Sequence, residues 1–392
     1  QLSDACCQRL RQCLPACEIS LDHPIQLRNQ QLAVAMKSVD QESVSYEFDE
    51  QGFLHVDVES AADEVCHRIG SHWGLMSLVL YGASDRALNS LREAPTLAEL
   101  WLRPISDEIK NAIRSDGLAV LRTMPRLRRL GLELPEPLGD SLQHLSALPS
   151  LEELDLGPCG DLGRYAASLA EIPNLRRLSL RGCLWSTHFA GLAPFKSLEY
   201  LQMHSTEFKF EHLKGLAPPP ALRELSLYCL PFTDEDLTTL CAWKELTMIS
   251  LFGMTGSRIP FWRLLTLPRV KHVTIDNCQL DLQSDRQLPI SPSLQTISLT
   301  VSELGEQEQE MILQRMAHVP CAVTISYDIQ VVKIINQLGY QRKIELIERV
   351  GGLDPSRPDV DYESANRPMS PREAARRSII RTLGGKLYVE AE

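Results

Sequence analysis

The chain has 392 residues, a formal net charge of −11, 44% hydrophobic and 23% charged residues, and a pI near 5.5. That composition is globular and excludes a wholly disordered polymer, a collagen-like chain and a small disulfide scaffold. The acidic balance argues against a nucleic-acid binder that works through its whole surface, because phosphate contacts need a basic face.

In chain order, the first residues to weigh are Cys6, Cys7, Cys13 and Cys17. A metal site needs converging thiolates at short spacing. Cys6, Cys13 and Cys17 instead fall on one helix face beside Leu10 and Leu14, which reads as a buried helix. The run 14–20 echoes the run 319–326, so residues 1–20 read as the end of an earlier repeat, cut at Gln1. Residues 44–48 and 53–58 read as a hairpin, with Leu54, Val56 and Val58 alternating against Phe53, His55 and Asp57. A helix over 61–69 follows. Cys66, His67 and His72 are metal-ligating types, but Ile69 three residues on assigns Cys66 to the core.

From residue 71 the chain repeats. Leu151-Glu152-Glu153-Leu154-Asp155-Leu156 reads L-x-x-L-x-L and recurs at Leu175 and Leu222. Looser copies start at Leu75, Leu97, Leu127, Leu198, Leu246, Val270 and Leu294. The steps between starts are 22, 30, 24, 24, 23, 24, 24, 24 and 24 residues, a register that chance does not keep. A proline precedes many blocks, as at Pro95, Pro125, Pro149, Pro173, Pro220 and Pro268. The ninth position is Cys159, Cys183 and Cys278, with Thr206, Leu230 and Met254 in other copies.

Over residues 71–326 this pattern resembles the leucine-rich-repeat family, in its bacterial or cysteine-containing subtype. The resemblance implies an α/β leucine-rich-repeat solenoid: a curved horseshoe with parallel strands on the concave face and terminal caps. It implies little about function, since function resides in sites grafted onto folds. The inward leucines make each repeat bury its face only against its neighbours. Helical return arms are predicted over 106–123, 165–171, 235–243 and 307–317, and the ninth-position cysteines are predicted to lie buried beneath the turn. Residues 329–351 read as two capping helices, and 352–392 as a flexible tail with a short basic helix starting at Ser370. The predicted domains are 1–70, the array at 71–328, the cap at 329–351 and the tail at 352–392.

Strand alternation turns positions 3, 5 and 7 of each block outward. In the first half these columns alternate in charge, as Glu99, Arg129, Glu153 and Arg177, which reads as a self-satisfied ladder. In the second half, Tyr200, His204, Tyr228, Met248, Phe252 and His272 surround Gln202, Ser226, Ser250 and Thr274. Aromatic and Met side chains around hydroxyls are what interface cores use. The candidate protein-binding residues are therefore Tyr200, Gln202, His204, Tyr228, Met248, Phe252 and His272.

No Walker A loop, G-x-G-x-x-G, H-E-x-x-H or G-x-S-x-G is present, and no carboxylate pair stands out. The reading is a non-catalytic, monomeric module with a protein partner, no cofactor, no metal, and no nucleic-acid or membrane partner. Two alternatives keep the binding class: the substrate-recognition arm of an F-box-like ubiquitin ligase, or a structural module of a larger multi-array protein. Eleven cysteines cannot all pair within one chain, and neither C-x-x-C nor an N-glycosylation sequon occurs, which points to the cytoplasm.

Overall fold

The fold is taken from a computed structural model. It describes residues 44–49, 53–59, 62–69, 74–92, 94, 96–104, 113, 117–133, 139–158, 165–183, 195–204, 218–229, 240, 243–254, 258–283, 289–300, 311–312, 321–327, 330–335, 343–348 and 386–391. The expectations for residues 1–20, the basic helix from Ser370, His72 and Cys159 fall outside these residues, as does nearly all of 235–243 and 307–317. Contacts divide the chain into two units, Gln1–Leu151 and Glu152–Glu392, a boundary inside the repeat array.

In the first unit, β1 (Val44–Phe48) and β2 (Leu54–Val58) pair antiparallel, as the alternation predicts. Leu54, Val56 and Val58 are the buried face of β2. Helix α1 (Ala62–Ile69) follows, and its Cys66 is fully buried. Then β3 (Leu75–Tyr81), β4 (Glu99–Arg103) and β5 (Arg129–Leu132) extend the sheet in parallel from β2. Helix α2 (Asp85–Ser90) connects β3 to β4; the Ser84 hydroxyl accepts from the Arg86 N–H as its N-cap. Within the predicted helix over 106–123, the described part is a 3₁₀ helix, Gly117–Thr123, not an α-helix. Its Leu118, Val120 and Leu121 are buried, so the apolar spacing is met by a tighter coil over a short span. A second 3₁₀ helix spans Gly139–Ala147.

In the second unit, β6 (Glu153–Leu156), β7 (Arg177–Arg181), β8 (Tyr200–His204), β9 (Glu224–Tyr228) and β10 (Met248–Phe252) form one strand per repeat. After β11 (Ile259–Pro260) come β12 (His272–Asp276), β13 (Leu280–Asp281), β14 (Thr296–Thr300) and β15 (Ala322–Tyr327). Neighbours pair in parallel in the order β6-β7-β8-β9-β10-β12-β14-β15, and β11 pairs with β13 in a separate small sheet. The repeat register thus becomes a strand register: Leu178, Leu201, Leu225, Ile249, Val273 and Ile297 share one row and are all buried. Each buried aliphatic contributes roughly 1.5–3 kcal/mol of burial against its two neighbours. The return arms supply α3 (Ala166–Ala170), within the predicted 165–171, and α4 (Phe261–Leu264), which no spacing signal flagged.

The strand ends share one device. The eighth position of the repeat adopts a left-handed backbone at Gly82, Gly182, Cys229, Gly253 and Asn277. In that conformation its N–H reaches the seventh-position carbonyl of the next strand: Gly182 to His204, Cys229 to Phe252, Gly253 to Asp276 and Asn277 to Thr300, at 2.7–2.8 Å. Glycine takes this conformation freely and Asn tolerates it; Cys229 does so at φ 53° against its own Cβ. Replacing Cys229 with Gly is expected to raise unfolding stability by about 0.5–1 kcal/mol, measured by denaturant titration. A loss of that size would mean the thiol is bound more favourably than the strain costs.

The two described ninth-position cysteines, Cys183 and Cys278, are buried as predicted. Cys183 is buried and its thiol donates to the Gly157 carbonyl at 3.2 Å. Cys278 is buried, donates to the Asp276 carbonyl at 3.2 Å and accepts from the Met254 N–H at 3.4 Å. Burial holds the Cys278 thiol above its ordinary range, and burial with the nearby Asp63 carboxylate does the same for Cys66.

The two helices predicted for 329–351 do not form. Residues Gln330–Ile335 (β16) and Lys343–Glu348 (β17) are strands: β16 pairs antiparallel to β15, and β17 pairs antiparallel to β16. Within the tail, Lys386–Ala391 (β18) pairs parallel to β17. The physical reason lies in composition: Val331, Val332, Ile334 and Ile335 are β-branched and stiff at χ1, and Lys343-Ile344-Glu345-Leu346 carries the two-residue alternation of a strand.

Candidate protein-binding face

The outward columns are set by the same register. In β8 to β14, position 3 aligns Tyr200, Glu224, Met248, His272 and Thr296. Position 5 aligns Gln202, Ser226, Ser250, Thr274 and Ser298, and position 7 aligns His204, Tyr228, Phe252, Asp276 and Thr300. All seven candidate residues stand on this one face. His204 is exposed, and Tyr200, Gln202, Tyr228, Met248, Phe252 and His272 are half-buried. Ser226 and Ser250 are buried, being short side chains between the taller outer columns.

The rings pack on one another. Tyr228 and Phe252 stack with centroids 4.3 Å apart and planes 8° from parallel, and His204 meets Tyr228 edge-on at 5.8 Å. Parallel neighbouring strands put identical positions about 4.8 Å apart, which is why rings in one column stack. The Tyr200 hydroxyl donates to Gln202 Oε1 at 2.6 Å, and the His272 ring nitrogen Nδ1 lies 2.8 Å from the Thr296 hydroxyl. Partial burial, with Tyr200 and Asp276 nearby, raises the Tyr228 phenol above its ordinary range.

Three residues outside the candidate set belong to this face. Arg177 lies over the Tyr200 ring, its Cζ 4.0 Å from the centroid, and its Nη1 is 3.9 Å from Glu224 Oε2. Glu224 and Asp276 sit inside the position-3 and position-7 columns. The columns themselves were the signal for both; selecting for aromatic and hydroxyl types passed them over. In the first unit, Arg129 Nη1 and Glu99 Oε1 are 2.8 Å apart, a rung of the charge ladder. The Arg103 guanidinium is 5.8 Å from the Tyr81 and 5.7 Å from the Trp101 ring centroid, and its Nη1 donates to the Tyr81 hydroxyl at 3.0 Å.

One strand per 24-residue step, paired in parallel with the inward aliphatics in rows, decides the architecture. The chain has a leucine-rich-repeat fold. That assignment rests on its own register, because the comparisons are distant. No protein-family model and no curated protein matches the sequence. Among solved structures, an internalin from Listeria monocytogenes is 16% identical, with a TM-score of 0.45 over 80% of this chain and 94% of that one. A TLR13–ssRNA13 complex is 18% identical, with a TM-score of 0.40 over 64% of this chain and 36% of that one.

Among the described residues of this leucine-rich-repeat chain, no group of three or more His, Cys, Asp or Glu is placed to hold a metal ion. No described helix is long and apolar enough to cross a membrane. Cys66, Cys183, Cys229, Cys278 and Cys321 are free thiols.

Proposed function

We propose that the chain is a non-catalytic interaction module that binds a protein partner on the strand face around Tyr200, Gln202, His204, Tyr228, Met248, Phe252 and His272. The stacked, half-buried Tyr228–Phe252 pair carries this reading. Rigid parallel strands hold the rings at fixed spacing, so little conformational entropy is lost when a partner covers them. Aromatic anchors in such a setting dominate binding energy. The module is monomeric, works in the cytoplasm, and uses no cofactor, nucleic acid or membrane. Its ninth-position thiols at Cys183 and Cys278 favour the bacterial or cysteine-containing subtype.

Affinity purification from native lysate compares wild type with Tyr228→Ala, Phe252→Ala. The double variant is expected to keep the wild-type circular dichroism spectrum and to lose its partner by about 30-fold or more, the scale of losing a hot spot. Equal retention by two folded proteins would reject the face.

A further inference from the structure

The outward columns of β8, β9, β10, β12 and β14 contain two carboxylates, Glu224 and Asp276, two imidazoles, His204 and His272, and no Lys or Arg. At one margin of this face the chain supplies a cation of its own. The Arg177 guanidinium rests on the Tyr200 ring at 4.0 Å and reaches the Glu224 carboxylate at 3.9 Å. The elements of that arrangement are an aromatic face and a carboxylate on the neighbouring strand.

The same pair of elements recurs further along. Phe252 and Asp276 are register partners at position 7 of β10 and β12. One face of the Phe252 ring is stacked on Tyr228. Among the described residues no Lys, Arg or His forms an ion pair with the Asp276 carboxylate. A ring quadrupole and a half-buried carboxylate both attract a cation, and the guanidinium plane suits both at once. The net charge of −11 draws basic segments toward the chain as a whole.

We infer that Phe252 and Asp276 receive an arginine or lysine side chain, so that the partner read by this face presents a basic segment. The inference rests on the interaction reading above and names the chemistry of its partner. Arg177 on Tyr200 and Glu224 is the intramolecular version of the contact.

The test uses the full chain and a random peptide library displayed on phage. Peptides selected on wild type are expected to be enriched in Arg or Lys at one position. Replacing that residue by citrulline or norleucine in the synthetic peptide is expected to weaken binding about tenfold or more, as is Asp276→Asn. Tyr228→Ala, Phe252→Ala is expected to abolish binding of the same peptide. No enrichment of basic residues, or equal binding by Asp276→Asn, overturns the cation site. If the aromatic variant alone loses the peptide, the interaction face stands and only its basic partner falls. If neither variant loses it, both readings fall.

Discussion

Trp262→Ala is expected to lower unfolding stability by about 3–5 kcal/mol, the range for deleting a buried indole. Trp262 lies in α4 with no solvent exposure, edge-on to Phe261 at 4.8 Å. Its indole N–H donates to the Leu282 carbonyl at 2.9 Å, tying the return arm of one repeat to the chain beyond β13 of the next. Truncation opens a cavity between repeats and also leaves that carbonyl unpaired, and the two losses add. Trp262→Phe separates them: it retains most of the apolar volume and is expected to lose about 1–3 kcal/mol. Urea titration followed by far-UV circular dichroism reads both values. A Trp262→Ala midpoint equal to wild type would mean that the arm carries no stability. The proposed binding face is made by strands and not by this arm, so peptide affinity of the folded variant is expected to stay unchanged.

Gly131→Ala is expected to destabilise the first unit by about 1–3 kcal/mol, the usual cost of overpacking. The reason is local. Gly131 and Trp101 are register partners on β5 and β4, and the Trp101 ring lies across the space where a side chain at 131 would stand. A Cβ there would meet Trp101 Cε3 at 2.0 Å and Cζ3 at 2.6 Å. The ring would have to leave, and with it the contact to Arg103 at 5.7 Å. In a Trp101→Ala background the sign is expected to invert. Alanine is better than glycine within a strand by roughly 0.5–1 kcal/mol once nothing blocks it, because the unfolded chain has less freedom to lose. A double-mutant cycle on thermal or urea unfolding tests the inversion. Additive effects of the two substitutions would show that the ring does not occupy that space.

The two cases mark how far sequence reasoning reached. The repeat starts at Leu151, Leu175, Leu198, Leu222, Leu246, Val270 and Leu294 were legible, and in each of these repeats the strand begins two residues after the start. The inward rows and outward columns followed from alternation alone, which is why all seven candidate residues share a face. What spacing could not supply was how the outward side chains meet. It selected Tyr200 but not the Arg177 that covers it, and Phe252 but not the Asp276 beside it. Type-based selection sees one residue at a time, whereas a column is read by neighbours a repeat apart. The return arms were read less well. Gly117–Thr123 is 3₁₀ and Phe261–Leu264 a single helical turn, both too short to leave a helical period.

The end of the array shows the limit most clearly. Between 330 and 348 the apolar residues satisfy a helical pattern and a strand pattern at once, and period alone cannot choose between them. The available edge of β15 decides it: a β-branched segment next to an open strand gains ladder hydrogen bonds that an isolated short helix does not offer. The repeat, its register, the inward core and the outward columns can be read from the residues alone, because they follow from a fixed step and a two-residue alternation. The stacking of Tyr228 on Phe252, the lodging of Trp101 over Gly131 and the strands after β15 are settled in three dimensions, because each depends on which surface another repeat or strand leaves open.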